Sequence, residues 1–571
     1  MVKDGGVKDA TLAEEGRTLL QHMPRLKKRQ ELRKAYQELV DGKVDLAKFQ
    51  AERERILGEM KLKQTEANLF ALKVLEATEL IKEDYVRDVN QGQMVEWAIR
   101  ELYSTIEEKL PAKIEEALKT VRALRLTGLR DLLVEARMHL GKREDLDTQK
   151  DLNITLQRML HKLDPHTTYI DPETKKKFDD EIAGNFTGIG IQIRKDAATD
   201  ELLVVTPIKG SPAYKKGLQA GDRVSKIIRE VDSDGNPLNP TEVIDTKGLA
   251  LNKAVKLILG QPDTKVKLLI KREGVEKPFE VEITRGRVEI ESVLGAARKS
   301  DDGWDYVIDH KHQIGYIRLS SFARNSFRDM EAVMKELRAQ GVKGMILDLR
   351  FNPGGLLDIA IKISDLFIDD GLIVSVRPRG GATRETRFNG RHNGSLLDFP
   401  MVCLVNGYSA SGSEIVSAAL QDHNRAVIIG ERSYGKGSVQ NIKDFEVVDA
   451  KTGETKKAEI KLTTASFWRP NGKNLEQAST GGKDEGRVGR PPRQGDQALG
   501  QERRELAEHR RNLETIEPAA RRDKPKEFKD RQLDAALEYS RGQIKTASRA
   551  CWARPRSTER AADRSPCRRE R

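Results

Sequence analysis

Three serines stand within five residues, Ser409, Ser411 and Ser413, in the stretch "NGYSASGSEIVSAALQDH". A serine hydroxyl attacks a carbonyl only when a neighbour takes its proton. The run "MVCLV" before the serines reads as a buried strand, and "SEIVSAALQDH" reads as a helix. The serines therefore occupy a strand-to-helix turn. In open α/β sheets ligands sit at the carboxyl ends of strands, and a helix amino end offers unpaired N–H groups to an anion. Any one of the three could instead be the helix N-cap, and Ser411 and Ser413 both suit that position. Residue types alone leave the choice open.

Two proton acceptors compete. A lipase-like elbow would read G-x-S-x-G, and here "GYSAS" lacks the final glycine. His423 follows a helix of about ten residues, ~15 Å from the turn, which is too far for a hydrogen bond. Lys436, in "ERSYGKGSVQ", follows the next apolar run, "AVIIG". In a parallel strand-helix-strand unit that loop emerges on the same sheet edge as the serine turn. A free lysine titrates near 10.4, so a base poised near 7–8 requires roughly 3–5 kcal/mol of desolvation, which an apolar loop could supply. The "GKGS" run lacks the spacing of a phosphate-binding loop. A second strand, turn and helix, "GMILDLRFNPGGLLDIA", carries Gly354 and Gly355. Their N–H groups could face an oxyanion, or the glycines could simply make the turn.

These loops need a scaffold. Residues 300–475 alternate strands and helices, with "MILDL", "MVCLV" and "AVIIG" continuously apolar. This predicts an α/β layered core with a largely parallel sheet buried on both faces, and "EIKLTTASFWRPNGKNLE" adds an edge strand or hairpin. Residues 181–290 hold short β-branched runs separated by Gly, Pro and Asp, with a helix at "NKAVKLILG" and a shorter one at "SPAYKK", a small domain in size. Residues 1–180 show apolar spacings of three and four and read as a helical region. In "HKLDPHTTYIDP", His161 and His166 could be ligands, but a turn after a helix explains them as well. Residues 476–571 read as a basic, partly disordered tail with a short helix near 529–544.

The 571 residues are 34% charged, with a net charge of +12. The excess gathers in the terminal segment, and a basic tail is more often solvated than a nucleic-acid reader, so no nucleic acid is expected. Of the three cysteines, Cys403 lies in an apolar run and reads as a buried small hydrophobe. Cys551 and Cys567 lie in the tail, and no spacing suggests zinc or a disulfide framework. The first residues show no apolar core of signal-peptide length, and no run is long enough to span a membrane.

Six motifs in order, "LDPHTTYI", "FTGIGIQI", "SPAYKKGLQAGDRV", "LDLRFNPGG", "SASGSEIVSAALQDHNRAVIIGERSYGKGSVQ" and "TTASFWRPNG", resemble the carboxy-terminal processing peptidases, or tail-specific proteases. The resemblance covers roughly residues 80–475. It implies a Ser-Lys serine peptidase with an embedded PDZ domain (181–290) and a catalytic core (300–475) of the Clp protease and crotonase layered kind. It implies Ser411 as nucleophile, Lys436 as general base and Gln440 as the residue orienting the lysine. Gly412, with Gly354 or Gly355, would form the oxyanion hole, and no metal or cofactor is needed. The strand edge from Gly188 through Ile189 and Gly190 to Ile191 would capture a substrate's carboxy terminus by β-addition. Protein or peptide substrates with exposed carboxy termini are implied, with homo-oligomers possible and a periplasmic or cell-envelope location. This sequence departs from the family in lacking a visible export signal, in a helical insertion before "LDPHTTYI", and in the Arg-rich text after "GGKDEG". A PDZ scaffold that binds tails with little or no catalysis is the competing reading, motivated by that altered end. A crotonase-like acyl-CoA enzyme is a third, suggested only by the layered fold.

Overall fold

The computed structural model describes residues 10–21, 23–175, 184–233, 235–391, 396, 398–448, 453–474, 476, 497–516 and 528–552. The chain forms two compact units that do not follow chain order. One comprises residues 1–175, 378–384 and 438–465, and the other holds the remainder. The architecture is mixed helix and sheet.

The first unit is the expected helical region with strands added. Helices Gln64–Asp84, Gln91–Thr105, Leu126–Leu140 and Lys150–His161 bury one apolar face each. Local chemistry sets their starts: Asn90 Oδ1 accepts the Gln93 N–H at 3.0 Å, a helix N-cap. The segment 438–465 was expected to belong to the core of 300–475. It joins the helices instead, because Phe445, Val447, Ile460 and Leu462 pack into the helical core. The strand Thr168–Ile170 pairs antiparallel with it, Thr168 opposite Lys461. After the helix ending at His161, Asp164 Oδ1 accepts the N–H groups of His166 and Thr167 at 2.8 and 3.0 Å. A side-chain-stabilised turn thus accounts for "LDPHTT".

In the second unit, residues 185–289 form a small antiparallel module. Its main sheet runs Ile191–Lys195, Leu202–Pro207, Arg223–Val231, Lys265–Lys271, Phe279–Thr284, with Pro237–Asp245 on the middle strand. Helices Pro212–Lys215 and Leu251–Ile258 cover a core of Ile189, Val204, Ile227, Ala254, Ile258 and Leu268.

The rest of this unit carries four parallel strands, Ile314–Leu319, Gly344–Asp348, Met401–Val405 and Val427–Gly430, adjacent in that order. The middle two are fully buried, as their unbroken apolar runs require. Cys403 is completely buried and burial pushes its thiol far up, so it packs as a hydrophobe and is inert. Helices Ser326–Ala339, Leu357–Asp365 and Gly412–Asp422 connect the strands.

The tail carries more helix than the short one expected near 529–544. It contains two long helices, Gln497–Glu514 and Arg531–Trp552. In the second helix Leu533, Ala536, Leu537 and Ile544 pack on Tyr316, Ile346, Val402 and Leu404 of the parallel sheet. Arginines pair with core carboxylates: Arg503 with Glu431 at 2.9 Å, Arg510 with Asp348 at 2.5 Å and Arg541 with Asp309 at 2.7 Å. Composition displayed the charges but not their partners. Residues 477–496, 517–527 and 553–571, where disorder was expected, lie outside the described residues. No helix among the described residues is long and apolar enough to cross a membrane.

Candidate active site

The three serines separate into distinct roles. Ser409 is fully buried, its Oγ donating to the Leu349 carbonyl at 2.8 Å and accepting the Asn406 N–H at 2.9 Å. Ser413 is also fully buried and donates to the Asn352 carbonyl at 2.9 Å. Both hydroxyls are spent stitching the serine turn to the neighbouring 349–355 turn. Ser411 alone is half-buried, and it takes φ +53° and ψ −112°. A non-glycine residue there is strained, and such a turn lifts a nucleophile off the end of its strand.

Sequence reasoning missed Glu414. It lies in the first turn of the helix Gly412–Asp422 and is completely buried. Its Oε2 accepts the N–H of Ser411 at 3.0 Å and of Lys436 at 2.8 Å. Its Oε1 accepts the Gly435 N–H at 2.7 Å and the Ser433 hydroxyl at 2.6 Å. One carboxylate therefore binds the serine turn to the lysine loop. Burial pushes its carboxyl upward and these donors only partly offset that. The sequence did carry a signal: Ser411-Gly-Ser-Glu414 fits the S-x-x-E capping-box pattern. The Tyr434 N–H adds a second tie, to the Ser409 carbonyl at 3.0 Å.

The expected oxyanion donors are narrowed. The Gly354 N–H is committed to Asn352 Oδ1 at 2.8 Å. Among the described residues, Gly355 and Gly412 have N–H groups with no acceptor. Gly354 is still required at this position. At φ +98°, a Cβ there would lie 2.7 Å from the Ala410 carbonyl and from Ser411 Cβ, and 2.8 Å from the Gly412 nitrogen. The two turns thus touch at Ser411.

Lys436 is half-buried in the second unit, within the loop Glu414 holds. Gln440 lies in the first unit, its amide donating to Ser438 Oγ at 2.9 Å and Thr463 Oγ1 at 3.2 Å. The ring of His423 is engaged at the far end of its helix, 2.7 Å from the Leu372 carbonyl.

Of the four expected tail-binding residues, only Ile191 lies on the outer strand of the antiparallel sheet. Gly188 pairs with Gly286 in a separate two-stranded ribbon, and Ile189 is core. Gly190 turns between them at φ +77°, its carbonyl accepting from the Ile208 N–H and the Ser211 hydroxyl. The available edge is therefore Ile191–Lys195.

Residues 313–482 match the model for peptidase family S41. The carboxy-terminal-processing protease of Bartonella bacilliformis is 37% identical over 334 residues, which cover 58% of this chain and 68% of the relative. The chain belongs to the carboxy-terminal processing proteases of family S41. It is a serine-type peptidase. A second relative, the carboxyl-terminal-processing protease of Synechocystis, is 34% identical over 57% of this chain and 68% of its own length. The solved photosystem II D1 C-terminal processing protease is 24% identical over 72% of this chain and 91% of its own, with a TM-score of 0.37.

Proposed function

We propose that the peptidase acts through a Ser411–Lys436 dyad, with the N–H groups of Gly412 and Gly355 as the oxyanion hole. Lys436, neutral, takes the proton of Ser411 Oγ as that oxygen attacks the scissile carbonyl. Negative charge forms on the carbonyl oxygen and is met by the two N–H groups. Lys436 returns the proton to the leaving amine, and a water deprotonated by the same lysine hydrolyses the acyl-enzyme. The observation that carries the reading is the buried Glu414 carboxylate, which accepts from Ser411 and from Lys436 through one oxygen.

Substrates are proteins with free, apolar carboxy-terminal segments. The tail adds as a strand to the edge Ile191–Lys195, whose Ile191 and Ile193 pack on the core that holds Ala254 and Ile258 of the helix Leu251–Ile258. Exposed Tyr408 and Tyr434, on the serine and lysine loops, supply apolar surface near the nucleophile. The expected location is the bacterial cell envelope. Hydrolysis of a peptide with an apolar carboxy terminus tests the dyad. Wild type should cleave it while Ser411→Ala and Lys436→Ala do not. Cleavage persisting in both variants rules the dyad out, and tight binding without cleavage by wild type favours a tail-binding scaffold.

A further inference from the structure

The turn 349–355 follows the fully buried strand Gly344–Asp348 and brings Gly354, the neighbour of Gly355, against Ser411. Its weakest point is Phe351, a non-glycine residue at φ +65°. Such a conformation persists only when its surroundings over-determine it. The peptide joining Arg350 to Phe351 is clamped at both ends. Its N–H donates to Asn406 Oδ1, at the start of the serine turn, at 3.0 Å. Its carbonyl accepts from Arg510 Nη1 at 2.9 Å, and Arg510 belongs to the tail helix Gln497–Glu514.

The side chains beneath repeat the pattern. Asp348 is completely buried and binds Arg350 at 2.7 Å, Arg510 at 2.5 Å and the Tyr316 hydroxyl at 2.8 Å. The other edge of the Arg350 guanidinium forms a two-bond fork to Asp530, at 2.9 and 2.7 Å, and reaches Gln532 Oε1 at 3.0 Å. Two guanidiniums and two carboxylates balance, and every member is bonded, which is the condition for such a network to be rigid. Half of it comes from residues beyond 500.

The geometry points to Arg510 and Asp530 as positioning residues for the oxyanion turn, which makes the tail helices part of the catalytic machinery. Neither touches substrate. Arg510 prevents rotation of the 350–351 peptide plane, and Asp530 holds the Arg350 side chain that braces it from below. When either is removed, Glu414 still ties the Ser411 turn to the lysine loop. What is lost is the alignment of the Gly355 N–H with the developing oxyanion, a loss felt in the transition state and not in substrate binding.

This inference rests on the Ser411 reading above, and the experiment separates the two. Full-length wild type, Ser411→Ala, Arg510→Gln, Arg510→Lys and Asp530→Asn are compared for peptide hydrolysis, for affinity toward a peptidyl boronate and for thermal unfolding. A boronate forms a tetrahedral adduct on the serine and fills the oxyanion hole. In Arg510→Gln and Asp530→Asn, kcat should fall about 10- to 100-fold. KM should stay within about twofold, and boronate affinity should weaken in parallel with kcat. Arg510→Lys, which keeps the charge but cannot reach the Arg350 carbonyl and Asp348 with two fixed N–H groups, should fall between. If Arg510→Gln does not fold, Asp530→Asn, at the more accessible end of the network, decides. Variants with lowered Tm but wild-type kcat and boronate affinity per folded molecule would overturn the proposal. Absence of cleavage by wild type would overturn the Ser411 reading and this inference together. Cleavage lost in Ser411→Ala but unchanged in the tail variants would overturn this inference alone.

Discussion

The backbone N–H of Lys436 donates to Glu414 Oε2 at 2.8 Å, across 22 residues of sequence, and the same oxygen accepts from Ser411. Glu414 is thus the joint between the two turns. Replacing it with Gln puts an N–H₂ group where several donors converge. Glu414→Gln should lower kcat at least about 100-fold and cost about 2–4 kcal/mol of stability. Steady-state hydrolysis and urea unfolding measure the two effects. A variant cleaving at the wild-type rate would show that other contacts align the loops.

The serines should separate by readout. Ser411→Ala should eliminate hydrolysis with little change in stability, since Ser411 is only half-buried and the Glu414 tie to its N–H is kept. Ser413→Ala removes one buried bond and should cost about 1–2 kcal/mol while cleavage survives. Ser409→Ala, which strands the Asn406 N–H and leaves the Leu349 carbonyl with only the Asn352 N–H, should cost about 2–3 kcal/mol. Equal loss of activity in all three would contradict this division.

Gly354→Ala should also inactivate. The added Cβ meets backbone at 2.7 Å, and φ +98° disfavours any L side chain. A kcat reduction of about 100-fold or more is expected, from displacement of the nucleophile turn. Wild-type turnover in this variant would mean that the two turns are not in contact in solution.

Acid stability depends on Asp348. Burial pushes its carboxyl up, but the charges of Arg350 and Arg510 outweigh that and hold it well below the usual range. A depressed folded value means that the unfolded chain binds the proton more readily. The stability Asp348 contributes is therefore fully present above about pH 4, its ordinary value, and is lost as pH falls toward the depressed one. Arg510→Gln removes one of the two charges, so acid unfolding should begin about 0.5–1 pH unit higher. Circular dichroism across an acid titration measures this, and coincident curves would remove Arg510 as a cause.

In the antiparallel module, the buried Arg285 guanidinium donates to the carbonyls of Ile258 (2.8 Å), Leu257 (3.2 Å) and Lys265 (2.9 Å). It closes the carboxyl end of the helix Leu251–Ile258. Arg285→Ala should weaken binding of a carboxy-terminal peptide by about tenfold and destabilise the module by about 3 kcal/mol. Titration of a fluorescent peptide into Ser411→Ala with and without Arg285→Ala tests it. Equal affinities would show that the helix end is not needed for capture.

Much of this protein follows from local pattern. Unbroken apolar runs in "MILDL", "MVCLV" and "AVIIG" establish buried parallel strands, because only strands covered on both faces can be apolar throughout. That topology brings the loops of Ser411 and Lys436 to one edge, and the glycine turn at 354–355 to the same place. Other assignments needed tertiary structure. Ser409, Ser411 and Ser413 are one residue type in one turn, and only their partners, the carbonyls of Leu349 and Asn352, tell two of them from the third. Glu414 reads as an ordinary capping residue until the lysine loop folds over it. The tail reads as solvated because charge is a local property, while pairing is not. Arg503, Arg510 and Arg541 meet Glu431, Asp348 and Asp309 only across the fold, where a buried carboxylate turns a run of arginines into structure.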